Sequence, residues 1–242
     1  MQVRILPPLP SLVFQSLPPP PLIPREQFAV YSYLLGMYLG DGYLCRMART
    51  YRLDVYLDGR DQHTIDRVSA AINALLPAHR VGLRRHGSAV VVTCYFKGWP
   101  QLFPQPGAGP KHARRIVLDG WQHDALALHP ETFIGGCIDS DGCRHRRIVR
   151  GRNYPAYSFG NRSEDILALF ARACDVVGFG WRRANRSTIS IARRSDVARL
   201  DRLLPHKVSS PERPSRLSTA RQVEADQVLL GKKWRRRADS NR

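Results

Sequence analysis

Leu34-Leu35-Gly36-Met37-Tyr38-Leu39-Gly40-Asp41-Gly42 and Ile134-Gly135-Gly136-Cys137-Ile138-Asp139-Ser140-Asp141-Gly142 are two versions of one phrase in a chain of 242 residues. Each is an apolar helical run ending in Asp-Gly, with small residues four apart: Gly36 and Gly40 in the first, Gly136 and Ser140 in the second. Internal repetition of this kind decides the fold before any other signal does. Small residues at that spacing let two helix backbones approach closely. If the two motif helices pack together, their C-termini lie side by side and Asp41 and Asp141 become neighbours. A carboxylate at a helix C-terminus faces the negative end of the macrodipole, where cations are favoured. Placing one there twice calls for a positive partner, most simply a metal ion. Two close carboxylates repel unless cations neutralise them, and carboxylate oxygens are natural ligands for Mg2+.

The same order of elements follows each Asp-Gly. In the first copy, 26–40 reads as a helix, Tyr43–Met47 as extended, and Thr50–Asp58 as a strand in which Leu53, Val55 and Leu57 alternate with polar residues. Asp61–Leu76 is amphipathic through Ile65, Val68, Ile72, Leu75 and Leu76. A hairpin turns at Gly87 between Val81–His86 and Ser88–Phe96, and a short helix starts near Trp99. In the second copy the corresponding segments are Phe133–Ser140, Cys143–Val149, Tyr154–Phe159, a helix opened by Ser163, a hairpin around Asn185, and Ser195–Leu204. The expected fold is α+β: two pseudo-symmetric αββαββα repeats forming a saddle of antiparallel sheets. The expected organisation is a disordered Pro-rich lead-in (1–25), a first repeat (26–103), a linker (104–128), a second repeat (129–205) and a basic, disordered tail (206–242).

The formal net charge of +18 is large for a folded unit and points to a polyanion as partner. Thirty-three of the 38 basic residues are Arg, whose planar fork matches phosphate and guanine edges, although a GC-rich coding bias has the same outcome. Helices covering one sheet face leave the other open, and the basic residues are expected there. They fall in clusters: Arg46, Arg49 and Arg52; Arg84 and Arg85; Arg144, Arg146 and the stretch to Arg152; Arg182, Arg183 and Arg186. Such a concave basic surface suits double-stranded DNA, since β-ribbons fit the major groove.

Five cysteines without a CxxC pair fit a reducing, cytoplasmic setting. A zinc site from Cys137, Cys143 and His145 is disfavoured because Cys137 lies inside the helical motif. No apolar stretch reaches membrane-spanning length. His123 and His129 lie outside both motifs and read as loop or surface groups.

These features resemble the LAGLIDADG homing endonucleases in their single-chain, two-repeat form, over roughly residues 26–204. The resemblance implies a site-specific, metal-dependent DNA endonuclease, monomeric, using Mg2+ or Mn2+ near the scissile phosphates. It maps the metal-binding acids onto Asp41 and Asp141, with the preceding Gly40 and Ser140 included in the metal set. It further implies a basic residue at the end of each repeat's last strand: Lys97 in the first copy, and Arg193 (or its neighbour Arg194) in the second. The sixth motif position departs from symmetry, Leu39 against Asp139, which leaves Asp139 as an N–H acceptor or a spare acid. Relatives on this scaffold include maturases and transcription regulators, so the alternative is a non-catalytic DNA- or RNA-binding regulator.

Overall fold

The computed structural model describes residues 23–103 and 110–209; the expectations for the Pro-rich lead-in, most of the Pro/Gly linker and the basic tail beyond 209 lie outside the described residues. The first repeat runs α1 (Phe28–Asp41), β1 (Gly42–Arg46), β2 (Tyr51–Asp58), α2 (Gln62–Leu75), β3 (Val81–His86), β4 (Ala89–Tyr95) and α3 (Trp99–Leu102). After α4 (Gly120–Leu128) the second repeats the order: α5 (Pro130–Asp141), β5 (Gly142–Val149), β6 (Arg152–Gly160), α6 (Glu164–Val177), β7 (Trp181–Asn185), β8 (Thr188–Ile191) and α7 (Arg194–Leu203). A last short helix, α8, spans Pro205–Ser209. The sheets are antiparallel and share one topology, β1-β2-β4-β3 and β5-β6-β8-β7. This is the α+β duplication expected from the two motifs.

Helices α1 and α5 form the centre. Every residue from Tyr31 to Leu39 is buried, as is every residue from Phe133 to Ser140. A helix apolar all round belongs in a core. The two meet at glycine: a Cβ built on Gly36 would lie 2.6 Å from the Phe133 carbonyl oxygen, and one on Gly136 would lie 2.2 Å from that of Tyr33. The Asp-Gly step serves a different contact. Gly42 and Gly142 start their strands directly after the helix, with φ −85° and −99°. A Cβ at either would sit 2.5 Å from the Cα four residues earlier, at Tyr38 or Ile138. Close approach demands glycine here, not a left-handed backbone.

Two stretches differ from expectation. Residues 120–128, read as linker, are helix α4, capped by Asp119 and Gln122 exchanging side-chain and backbone hydrogen bonds. Gln122 Nε2 donates to Tyr31 Oη at 2.6 Å and to the Leu102 carbonyl at 2.9 Å, and Trp121 packs 4.8 Å from the Tyr31 ring. This helix therefore clamps the exit of the first repeat onto α1. Residues 206–209, at the start of the expected tail, lie in α8, which returns to the centre.

Its target is Asp139, 1% exposed within α5. Tyr33 Oη donates to Asp139 Oδ2 at 3.0 Å, as does Arg67 from α2 at 3.0 Å. His206 Nε2 lies 2.8 Å from Oδ1 and Lys207 Nζ 3.5 Å from it. His206 stacks on His63 of α2 at 4.0 Å, and Lys207 reaches Asp61 at 3.6 Å. Asp139 is thus the hub of an ion network joining both repeats to α8. Burial pushes its acid up, but the His206 hydrogen bond and the charges of Lys207, His206 and Arg67 outweigh this and hold it below the usual carboxylate range. A carboxyl depressed by folding stabilises above its unfolded pKa of about 3.9, and the contribution is lost as pH falls through the folded value. Asp139→Asn should cost about 3–5 kcal/mol at pH 7, since it strands the partner cations, and the deficit should narrow below about pH 4. Urea titrations at several pH values measure this; coincident midpoints at pH 7 would contradict the network.

Candidate functional site

Because α1 and α5 touch at Gly36 and Gly136, their C-termini emerge together. The Asp141 carboxylate is packed against the end of α1: its Oδ2 lies 3.0 Å from where a Cβ on Gly40 would be. Asn161, just past β6, donates from Nδ2 to Asp141 Oδ2 at 3.1 Å and fixes the carboxylate's orientation. Asp41 occupies the matching last position of α1.

Lys111 reaches this place from a short 3-10 turn (Lys111–Ala113). Its ammonium donates to the carbonyls of Tyr38, of Gly40 at 2.9 Å and of Gly42 at 2.7 Å, and sits 4.9 Å from the centre of the Tyr38 ring. It neutralises the negative end of α1, the position where the helix dipole asks for a cation. Burial lowers the ammonium's pKa to about 8; Asp141 and then Asp41 pull it upward, and Arg114 pushes it down. Arg114 therefore belongs to the same electrostatic neighbourhood. Its buried Nε and Nη1 find no hydrogen-bond partner among the described residues. Neither residue was singled out from sequence. Lys111 is one of only five lysines in an Arg-rich chain, and that rarity was the available signal.

Lys97 and Arg193 each follow the end of a strand, β4 and β8. In the first sheet Gly42 is in register with Val55, and Val55 with Val92. Lys97 stands five positions beyond Val92, in a turn two residues past the end of β4, and is exposed. In the second sheet Gly142, Phe159 and Ile189 share a row. Arg193 lies four positions beyond it, packs over Gly180 and pairs with Asp196 at 3.8 Å.

The arginine clusters also divide by face, because paired residues in an antiparallel ladder point the same way. The helix-covered face of the first sheet holds Leu44, Leu53, Val55, Leu57, Val92 and Cys94. Register places Arg46 and Arg85 on that side, at its exposed margin, and Arg52 and Arg84 on the open side. In the second sheet Arg144, Arg146 and Arg183 fall on the helix side, and Arg182 on the open side with Arg147 and Arg152. Arg49 and Arg186 are in turns. The expectation that every cluster lines the open face is corrected: adjacent arginines in a strand must face opposite ways. Arg144 instead donates twice to Asp201 of α7, at 2.8 and 3.0 Å, and Arg183 clasps Glu164 with two bonds of 2.6 Å.

Among the described residues no three His, Cys, Asp or Glu side chains gather as a metal-ligand cluster, so Cys137, Cys143 and His145 do not form one. All five cysteines are free. Among the described residues no helix is long and apolar enough to cross a membrane.

By sequence the chain matches no family model and no curated protein. By structure it is similar to mesophilic variants of the homing endonuclease I-DmoI, with 13% identity over 76% of this chain and 98% of that one and a TM-score of 0.47. It is also similar to the N-terminal LAGLIDADG domain of DUF199/WhiA, at 14% identity over 80% and 87% and a TM-score of 0.46. A third similar structure is I-DmoI in complex with DNA and Mn, at 13% identity over 77% and 99% and a TM-score of 0.45.

Proposed function

We propose that this protein is a monomeric, divalent-metal-dependent endonuclease that lays duplex DNA along its two sheets and hydrolyses phosphodiester bonds beside Asp41 and Asp141, as a single-chain member of the LAGLIDADG architecture. The observation that carries the reading is the glycine-mediated contact of α1 and α5, which delivers two helix-terminal aspartates to one place already occupied by an ammonium group. The donor set is all oxygen, two carboxylates beside main-chain carbonyls, and it already cradles one cation. That set fits Mg2+ or Mn2+. Asp41 and Asp141 would hold the ion, with Gly40 and Ser140 as the backbone that precedes them. A bound divalent ion supplies an activated water and stabilises the leaving oxygen.

The remaining work falls to the chain itself. Asn161 keeps Asp141 turned toward α1. Lys111 and Arg114 put positive charge where a phosphodiester would accumulate negative charge. Arg147, Arg152 and Arg182 on one open face, with Arg52 and Arg84 on the other, supply the phosphate and base contacts.

A nicking and cleavage assay on a randomised duplex library tests the reading. Cutting is expected with Mg2+ or Mn2+, and binding without cutting with Ca2+. Lys111→Met should slow cutting by about 10²–10³-fold while duplex affinity stays within a few-fold. A second reading, a DNA-binding regulator that does not cut, is favoured by one observation: Lys111 stands on the ground a metal would need. Salt-sensitive duplex binding with no cleavage of any library member in Mg2+ or Mn2+ would establish that reading instead.

A further inference from the structure

The open face of the first sheet contains a carboxylate that neither the core nor the hydrolytic centre uses. Asp54, in the middle of β2, is 1% exposed on the side opposite the helix-covered face. Two arginines cover it. Arg52 donates to Asp54 Oδ2 from Nε at 3.1 Å and from Nη2 at 2.8 Å, and Arg84 Nη2 approaches the same oxygen at 3.4 Å. The Arg52 guanidinium lies 6.0 Å from the centre of the Tyr95 ring. The arginines stay reachable, their side chains 22% and 45% exposed.

Burying a carboxylate costs several kcal/mol unless its partners are held in good geometry. Solubility alone needs no such arrangement, since long side chains left in water lose no rotamer entropy. What the arrangement does provide is an immobile guanidinium. Asp54 takes the Nε–H and one Nη2–H, and the Nη1–H groups with the second Nη2–H remain to match the O6 and N7 acceptors of a guanine. The second sheet has no counterpart. Gly42 pairs with Val55 and Gly142 with Phe159, so Asp54 and Arg52 correspond to Ser158 and Ala156.

Resting on the duplex-DNA reading above, we propose that Arg52, buttressed by Asp54, reads a guanine in the major groove, and that this discrimination is confined to the half-site under the first sheet. Asp54 is a positioning residue: it touches no DNA and acts through Arg52.

The test is the base-preference profile selected from a randomised duplex library bound in Ca2+. Wild type should show one dominant guanine in one half of the site. Arg52→Lys keeps the charge and leaves Asp54 partnered; it should flatten that position by about 5–150-fold and leave other positions unchanged. Asp54→Ala should flatten the same position without changing the slope of log affinity against log salt, because no phosphate contact is lost. If Asp54→Ala fails to fold, Arg52→Lys with an unchanged melting temperature decides alone. Uniform weakening across all sequences by Arg52→Lys would make Arg52 a phosphate contact and overturn the proposal. Duplex binding without base preference overturns the readout while leaving the DNA-binding function standing. Failure to bind duplex DNA overturns both.

Discussion

Asp41→Asn and Asp141→Asn proteins should bind duplex DNA nearly as tightly as wild type and leave it uncut. Under the proposed function each change would remove one of two charges that would hold a divalent ion, and with it the activated water and the leaving-oxygen stabilisation such an ion would supply. The expected loss is at least about 10³-fold in cleavage rate. Affinity is expected to change little, because the acids repel phosphate and the arginines proposed to bind it lie elsewhere on the sheets. Single-turnover cleavage beside a binding titration separates the two quantities. Wild-type cutting by either variant would remove the metal role from these acids. A parallel loss of affinity would mean that the substitutions disturb the helix pair rather than the chemistry.

Neighbouring glycines in α5 should respond in opposite directions. At Gly136 a side chain meets the Tyr33 carbonyl at 2.2 Å and the Gly36 Cα at 3.2 Å, and backbone atoms cannot swing aside. Overpacking against movable side chains costs about 1–3 kcal/mol; against a facing backbone we expect about 4 kcal/mol or more. At about 2–4 °C per kcal/mol for a chain of this size, Gly136→Val should melt about 10 °C lower, and Gly36→Leu should behave alike. At Gly135 the nearest atoms to a Cβ are 3.8 Å away, at Arg67 and Leu204. Gly135→Ala should be neutral or stabilise by up to about 1 kcal/mol, from helix propensity alone. Equal melting temperatures for the 135 and 136 variants would refute the close helix contact.

Much of this architecture is legible in the residues because the deciding signals are local. Leu53, Val55 and Leu57 alternate, and β2 lies over them; Ser163 caps α6, its side chain accepting from the Ile166 amide. The repeated Asp-Gly marks both helix ends to within one residue. Where the reading stops, the cause is non-local or a matter of parity. Helix α4 carries only a cap signal, Asp119 with Gln122, inside a segment whose composition resembles a linker. Lys111 belongs to no periodic pattern; it matters because the chain passes back over the end of α1, a tertiary event. The arginine clusters were visible as clusters, but two consecutive strand residues cannot share a face. Arg84 and Arg85 therefore separate, and so do Arg182 and Arg183. Asp139, an N–H acceptor or a spare acid by sequence, finds its partners on α1, α2 and α8, which no spacing rule connects to it.

The ion network and the glycine contact have a consequence for the identity of the two halves. Ser140 fills the space that Gly40 leaves empty, its Oγ 2.2 Å from where a Cβ at 40 would stand. Two second halves facing each other would press serine on serine, and would bury two Asp139 carboxylates without the Tyr33 and Arg67 that satisfy them. Two first halves would offer Arg67 only Leu39. Each half is therefore a lock cut for the other and miscut for itself. Were the chain divided between its repeats into two polypeptides, the pieces should assemble in preference as a heterodimer, since each satisfies the other by shape and by charge better than it satisfies itself.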